Sequence, residues 1–141
     1  MEMTTDSATS VRMSKQLSKN TAPELNLRKA VRDRGFGYRL EWPIPGMRRR
    51  RCDFAFVGAK VAVFVDGCFW HSCPIHGSIP KSNRDWWAKK LARNRERDLE
   101  SDRALQVRSW LSIRIWEHED PIAAADMIVS IVAERRLVQS P

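Results

Sequence analysis

The chain of 141 residues has little of what marks secreted or membrane proteins. It holds three cysteines, an odd number that argues against a disulfide framework and favours a reducing compartment. No run of apolar residues approaches membrane-spanning length, and the N-terminus lacks an apolar signal core. These absences predict a soluble, cytoplasmic protein that does not bind membranes.

Acidic side chains are also scarce relative to basic ones. The chain has 17 acidic and 25 basic residues, which gives a formal net charge of +8. Such a surplus favours a polyanion as partner, above all nucleic acid, although small structural basic proteins share it. The length suits one domain with a substantial core, and the sequence contains no internal repeat. We therefore expect a disordered polar tail at residues 1–12 and a single domain at residues 13–141.

Helix and strand signals alternate along this domain and predict an α/β fold. Residues 21–24 have the form of a capping box, so a helix should follow that buries Leu25 and Leu27. This helix should stop at Gly35 or Gly37. In chain order, the later predicted elements are a strand at 38–42, a loop at 43–51, strands at 52–57 and 60–65, a long helix at about 85–108, a strand at 111–116 and a helix at 122–137.

Basic side chains concentrate at two places in the predicted domain. The loop contains four consecutive arginines, residues 48–51, which are ordinarily solvated but suit phosphate contacts beside an active site. In the long helix, at about 100° per residue, apolar side chains share an arc of about 140° and basic ones gather opposite. One helix face should therefore pack on the sheet. The apolar arc comprises Trp87, Ala88, Leu91, Ala92, Leu99 and Leu105, and the basic stripe comprises Lys89, Lys90, Arg93 and Arg97.

Residues suited to chemistry concentrate in one stretch, residues 61–76. Its apolar start, Val61 to Val65, predicts a short buried strand that breaks at Asp66. Two cysteines, two histidines and two aromatic residues follow within ten positions. A strand that ends in ligand and proton-transfer residues is typical of a catalytic loop carried by a rigid sheet edge.

The cysteine and histidine spacing in this stretch suggests a metal site. Cys68, Cys73 and His76 offer three ligands close in sequence, and His118, just past the last predicted strand, would complete a tetrahedron. With all four positions filled by protein, such a site would be structural zinc that ties two segments together. The alternative is that the cysteines are buried apolar residues and the histidines lie on the surface.

A second set of residues suits phosphodiester hydrolysis. Asp53 lies among apolar neighbours, where an unpaired carboxylate is costly, so a divalent cation is a suitable partner. Carbonyls at the end of the adjoining strand, at Val65 and Asp66, could reach the same cation; the Asp66 side chain either contributes or, as we favour, bonds the following turn. His71 is a candidate general base. Glu24 either only caps its helix, or orients His71 or binds a metal-bound water.

Taken together, these residues resemble the very-short-patch repair (Vsr) DNA mismatch endonucleases. The resemblance covers about residues 13–120, and its most specific segment is Gly-Cys-Phe-Trp-His at residues 67–71. The Thr-x-Pro-Glu helix start and the Cys-Asp-Phe-Ala-Phe strand also match. The resemblance implies a restriction-endonuclease-like α/β fold, with a central mixed β-sheet flanked by helices and a structural zinc site. It also implies magnesium-dependent nicking of one DNA strand at a T·G mismatch.

Carried over by position, the resemblance implies a role for each matching residue. Asp53 would be the metal-binding aspartate, His71 the general base and Glu24 its supporting acid. Val65 stands where some relatives use threonine, so its backbone carbonyl would bind Mg²⁺ without a hydroxyl. His118 stands where a cysteine can occur. The implied zinc ligands are Cys68, Cys73, His76 and His118; the implied DNA contacts are the wedge aromatics Phe69, Trp70 and Trp87 with Lys89, Lys90, Arg93, Asn94 and Arg97.

The expected partner is double-stranded DNA, bound by a monomer, with repair proteins or a methyltransferase as candidate partners. Two alternatives stay open. One is a zinc-stapled DNA-binding module without catalysis, and the other is a nicking or restriction-type nuclease without mismatch specificity. A structural RNA-binding protein would share the charge but gives no reason for a buried Asp53.

Overall fold

The computed structural model of the chain describes residues 22–68 and 79–139, apart from the side chains of Arg48 and Gln139. The predicted tail, Thr21 of the capping box and the greater part of the Cys/His loop lie outside these residues. The division into a tail and one domain from residue 13 therefore stays a prediction.

The described ranges form a mixed α/β fold, as the sequence predicted. The elements are α1 Ala22–Asp33, β1 Arg39–Leu40, β2 Pro43–Ile44, β3 Met47–Arg51, β4 Phe54–Phe56, β5 Val61–Asp66, α2 Arg84–Val107, β6 Leu111–Trp116 and α3 Pro121–Gln139. Four strands make the main sheet, in the order β1-β4-β5-β6; β4 is antiparallel to both β1 and β5, and β6 is parallel to β5. Strands β2 and β3 form a separate two-stranded ribbon.

Helices α1 and α3 pack together on one face of the main sheet, which we call the α1/α3 face. Alternation along β5 sends Val61 and Val63 to this face, where they join the rings of Phe54 and Phe56. Because both faces of this sheet are covered, β5 is apolar throughout until Asp66. The helical side chains buried here are Leu27, Ala30, Val31, Ala124, Ala125, Ile128 and Val132.

Helix α2 covers the opposite face, which we call the α2 face. Its apolar cluster is smaller and combines the other half of the β5 alternation, Ala62 and Phe64, with Leu105 of α2. Ile44 of the ribbon and the thiol of Cys52 complete it. The ribbon therefore packs beside α2 rather than extending the main sheet.

Residues 43–51 form a β-hairpin, so the prediction of a loop there was wrong. Gly46 turns the chain at a φ of 84°, a backbone conformation that glycine adopts readily and that other residues adopt only with strain. The arginine run hid the strand because arginines lack the apolar alternation that marks a strand. A ribbon that exposes part of its surface accommodates them.

Two predicted core residues are exposed. Leu25 of α1 is 44% exposed, and Leu99 of α2 is 63% exposed. Helix α2 begins and ends within one residue of its predicted bounds, but its buried line passes through Leu91, Ser101 and Leu105. Part of the surface that α2 turns toward the sheet is polar, because Asp102 accepts hydrogen bonds from Arg114 of β6. Leu99 lies outside that surface. The strand predicted at 38–42 is reduced to Arg39–Leu40.

No helix within the described ranges combines the length and the apolar character needed to cross a membrane.

Candidate active site

Asp53 lies at the point where β4 begins beside the end of β5. Its backbone N–H donates to the Val63 carbonyl at 3.0 Å, and its Oδ2 accepts the N–H of Val65 at 2.6 Å. In an antiparallel pair, the N–H and C=O of a residue point to the same side, so the Val65 carbonyl is directed toward the β4 side as well. The Asp53 carboxylate thus lies beside Val65, the residue whose carbonyl the sequence predicted as the second Mg²⁺ ligand.

The backbone around Asp53 is held on both sides. Its carbonyl accepts the N–H of Glu41 at 2.9 Å, and Cys52 N–H donates to Trp42 O at 3.0 Å. Glu41 adopts a positive φ of 46°, which lets the short β1 segment turn away while keeping this bond. The half-buried carboxylate is therefore carried by a main chain that is fixed on both sides, at the point where β4 begins.

Glu24 is buried in the first turn of α1, where its carboxylate pairs with Arg28 at 3.0 Å. Burial by itself would lower the pKa of Arg28, but hydrogen bonds to Tyr38 and Glu24 raise it, so the guanidinium stays charged. The Tyr38 ring lies 4.9 Å from that of Phe54, the residue after Asp53. A continuous chain of contacts therefore links Glu24 to the neighbourhood of Asp53.

The start of the Cys/His loop is tied to the segment after β6. Cys68 N–H donates to Glu117 Oε2 at 2.6 Å, and Cys68 Sγ lies 3.3 Å from His118 Nδ1. This distance is that of a hydrogen bond between the two side chains, and it brings together the two predicted zinc ligands that the structure describes. Cys73 and His76 lie outside the described residues. Within the described ranges, no group of three or more potential ligands occurs.

Cys52 has a different environment from Cys68. Burial raises the pKa of its thiol to about 12. The thiol is therefore neutral at any physiological pH and behaves as a small apolar residue. Of the two described cysteines, only Cys68 has its sulfur in contact with a histidine.

The predicted base and two of the predicted wedge aromatics, His71, Phe69 and Trp70, lie outside the described residues. The third aromatic, Trp87, is half-buried in the first turn of α2 and meets the Trp86 ring edge-on at 4.8 Å. Trp86 is the more exposed of the two, at 57%, and the Lys90 ammonium lies 5.8 Å from its ring centre. Sequence reasoning did not single out Trp86, although the Trp-Trp pair with a lysine four residues on was a signal for it.

The basic stripe of α2 is exposed, as predicted. Asn94, also expected at the DNA, is half-buried. The ribbon is fastened to the same helix, because Arg50 donates to Arg97 O at 3.2 Å and pairs with Glu100 at 2.8 Å. One arginine of the run therefore has a structural role. The exposed members of the stripe are Lys89, Lys90, Arg93 and Arg97.

Asp66 has a partner that the sequence analysis did not foresee. Both of its carboxylate oxygens accept bonds from Arg114 of β6, at 3.1 and 3.2 Å. Burial acts to lower the pKa of Arg114, but its bond to Asp102 and the nearby charges of Asp66, Asp102 and Asp98 raise it. The signal in the sequence was a single arginine within the apolar alternation of residues 111–116.

Known proteins share this sequence pattern. Residues 1–76 match the family described as DNA mismatch endonuclease Vsr. The type II nicking enzyme V.NaeI of Lentzea aerocolonigenes is 43% identical over 103 residues, which are 71% of this chain and 61% of that enzyme. The type II nicking enzyme V.NmeAIP of Neisseria meningitidis serogroup A is 38% identical over 125 residues, 82% of this chain and 81% of that enzyme.

The DNA mismatch endonuclease Vsr of Escherichia coli is more distant, at 30% identity over 103 residues, which cover 71% of this chain and 63% of that protein. The chain spans less than two thirds of V.NaeI and of the Escherichia coli protein, but most of V.NmeAIP. The resemblance inferred from the sequence motifs is confirmed: the chain belongs to the Vsr family of DNA mismatch endonucleases, enzymes that hydrolyse DNA.

Proposed function

We propose that this protein nicks one strand of double-stranded DNA beside a T·G mismatch by magnesium-dependent hydrolysis, as a step of very-short-patch repair. The observation that carries the proposal is the hydrogen bond of 2.6 Å between Asp53 Oδ2 and Val65 N–H. It fixes a carboxylate beside a strand end whose carbonyl points to the same side. Two adjacent oxygen donors are the ligands that Mg²⁺ prefers.

Asp53 and the Val65 carbonyl would hold the cation. When bound, Mg²⁺ would neutralise charge that develops on the scissile phosphate and lower the pKa of a coordinated water. The amide of Val65 orients Asp53, because it donates a hydrogen bond to Oδ2. The chain thus supplies a prearranged ligand pair rather than a flexible carboxylate.

His71 would accept the proton of the attacking water, with Glu24 as its supporting acid. A general base must be held within hydrogen-bond reach of that water. His71 follows Cys68 by three residues, and the Cys68 amide is anchored to Glu117. Glu24 is held in place by its ion pair with Arg28.

Recognition of a mismatch would use the aromatic residues around this site. Unstacking is least costly at a mispair, and apolar rings inserted between bases compensate for the lost stacking. Phe69, Trp70 and Trp87 are the proposed wedges. Trp87 is half-buried against Trp86, so its ring is supported for such a contact.

The basic stripe of α2 would follow the DNA backbone and place the duplex. Lysine and arginine contacts to phosphate position a protein without reading sequence. Asn94 lies between these residues and would add a polar contact.

The structural zinc site would hold the catalytic loop in place. Its proposed ligands are Cys68, Cys73, His76 and His118, and the spacing of Cys68 and His118 is consistent with a shared metal. Because four protein ligands leave no open position, the ion would stabilise the fold and take no part in the reaction. We further propose that the enzyme acts as a cytoplasmic monomer, with repair proteins or a methyltransferase as partners.

The test is nicking of a duplex panel with each strand end-labelled. One duplex carries a T·G pair, and matched controls carry T·A or C·G at the same position. We expect a Mg²⁺-dependent nick in one strand of the mismatched duplex only, and its loss in His71→Ala while DNA binding persists. Absence of cleavage at every Mg²⁺ concentration, with binding intact, would instead support a non-catalytic DNA-binding module.

A second candidate function is nicking that does not require a mismatch. It is favoured by the names of two relatives, V.NaeI and V.NmeAIP, which are called type II nicking enzymes. The same panel decides between the two, because this candidate predicts equal nicking of mismatched and matched duplexes that share a sequence.

A further inference from the structure

Arg114 is the centre of an ion-pair network on the α2 face. Its Nη1 donates to both oxygens of Asp66, and its Nε and Nη2 donate to Asp102 at 3.1 and 2.9 Å. Nη2 also donates to the Asp98 carbonyl at 3.3 Å, and the Asp98 carboxylate lies 3.6 Å from Nη1. The guanidinium carbon is 4.1 Å from the centre of the Phe64 ring. Every nitrogen of this guanidinium is therefore engaged.

Stability alone does not account for this arrangement. One cation faces three carboxylates in a partly buried position, with side-chain exposures of 21% for Arg114 and 7% for Asp66. Buried ion pairs of this kind are often no more stabilising than apolar side chains of similar volume. Their distinctive property is geometric, because the planar guanidinium fixes the positions of carboxylates on both edges of its fork.

The network joins two parts of the proposed machinery. Asp66 is the last residue of β5, directly after Val65, whose amide holds Asp53. The Asp66 carbonyl also accepts the N–H of Glu117 at 2.9 Å, and the Glu117 carboxylate in turn accepts the N–H of Cys68, where the Cys/His loop starts. Asp98 and Asp102 lie on α2, the helix that carries the basic stripe.

We propose that Arg114 is a positioning residue for the nicking reaction. It holds the end of β5 in a fixed position relative to α2, so that a phosphate bound along the basic stripe meets the Asp53 carboxylate and the Val65 carbonyl. The proposal rests on the proposed function, because it assigns Arg114 a task within that reaction. Arg114 touches neither substrate nor metal and acts through Asp66.

The test compares Arg114→Met, Arg114→Lys and Asp66→Asn with the wild-type protein. Arg114→Met keeps the length of the side chain and its apolar packing on Phe64 but removes the fork. Arg114→Lys keeps the positive charge but lacks the planar guanidinium, so this variant should retain more of the nicking rate than Arg114→Met and less than wild type. Arg34→Ala is the matched control, because Arg34 forms a comparable pair with Asp126, at 2.6 Å, between α1 and α3.

We expect Arg114→Met to lower the single-turnover nicking rate at saturating DNA by about 10- to 100-fold, since small misplacements of reacting groups have effects of this size. Its DNA affinity without Mg²⁺ should stay within about twofold of wild type, because the phosphate contacts are intact. Hydrogen exchange at residues 61–68 should be faster than in wild type, and it should be unchanged in Arg34→Ala.

Normal nicking and normal exchange at residues 61–68 in folded Arg114→Met would overturn the proposal, as would an equal loss of rate in Arg34→Ala. If Arg114→Met does not fold, Arg114→Lys and Asp66→Asn decide by the same two measurements. If the wild-type protein does not nick the duplex, the proposed function has failed, and hydrogen exchange alone then decides whether Arg114 fixes the strand end.

Discussion

The two faces of the main sheet are built differently. The α1/α3 face is an apolar core in which Val63 and Ile128 are fully buried. The α2 face has a smaller apolar cluster and, beside it, the Arg114 network. The contrast indicates that the first face provides most of the folding stability, while ion pairs on the second join the end of β5 to helix α2.

A single strand contributes to both faces. In β6, Ile113 and Ile115 join the apolar core, while Ser112 and Arg114, which alternate with them, meet Asp102 of α2. The period of two in a strand makes this division possible. Substitutions on the two faces should therefore have separable effects, on stability for one and on reaction rate for the other.

The largest effect on stability is expected at the proposed zinc site, which begins just after the end of β5. Cys68→Ser should reduce bound zinc from about one ion per chain to a small fraction and lower the melting temperature, because a structural zinc contributes directly to folding. Metal analysis of the purified protein and a thermal melt measure both. Cys52→Ala is the control and should keep the zinc; full zinc occupancy in Cys68→Ser would exclude Cys68 as a ligand.

A core substitution on the α1/α3 face should be nearly as damaging to stability. Ile128→Ala should lower the free energy of unfolding by about 2–5 kcal/mol, because it leaves a cavity in a fully buried position. Urea denaturation gives this value, and nicking at a temperature where the variant is folded should be unchanged. Ile122→Ala, at a 53% exposed position of the same helix, should change stability by less than about 0.5 kcal/mol. Equal losses in the two variants would contradict the assignment of the core.

A smaller effect, on binding, is expected on the outer surface of α2. Arg93→Ala should weaken DNA binding and reduce the slope of log affinity against log salt concentration by about 1, because one phosphate contact is lost. Fluorescence anisotropy over a salt series measures the slope. Lys29→Ala on α1, which removes an exposed lysine paired with Asp33, should leave the slope unchanged. If the two variants behave alike, the basic stripe is not the DNA surface.

The smallest effect is expected at Leu99, which sequence periodicity placed in the apolar arc. Leu99→Ala should change the free energy of unfolding by less than about 0.5 kcal/mol, since the side chain is 63% exposed. Leu105→Ala, at a buried position of the same helix, should cost about 2–5 kcal/mol. A large loss of unfolding free energy in Leu99→Ala but not in Leu105→Ala would contradict the exposed position of Leu99.

The sequence predicted those parts of the fold that have a strong period or a clear start and stop. The boundaries of α2 and β6 and the mixed α/β class followed from such signals, and the helix α1 ends near Gly35, at a φ of 82°, as expected. The ribbon at residues 43–51 was missed because its strand is made of arginines. Leu99 was misplaced because periodicity cannot show that part of the inner surface of α2 is polar.

The site was predicted in a similar way. The contact between Asp53 and Val65 could be predicted because β4 and β5 are consecutive in the sequence and pair as a hairpin. The partner of Asp66 could not be predicted, since Arg114 lies 48 positions away in the sequence and only the pairing of β6 with β5 brings it near. Ion pairs between distant elements leave no periodic pattern in a sequence.

The central claim is that the Asp53 carboxylate, held by the Val65 amide, is a ligand for the catalytic cation. The most direct measurement is single-turnover nicking of the T·G duplex by Asp53→Asn at saturating Mg²⁺, with Asp33→Asn, an exposed aspartate of α1, as the control. Asparagine retains an acceptor for the Val65 N–H but removes the charge, so we predict a loss of at least about 10³-fold with DNA binding intact. Nicking by Asp53→Asn at the wild-type rate would contradict the account.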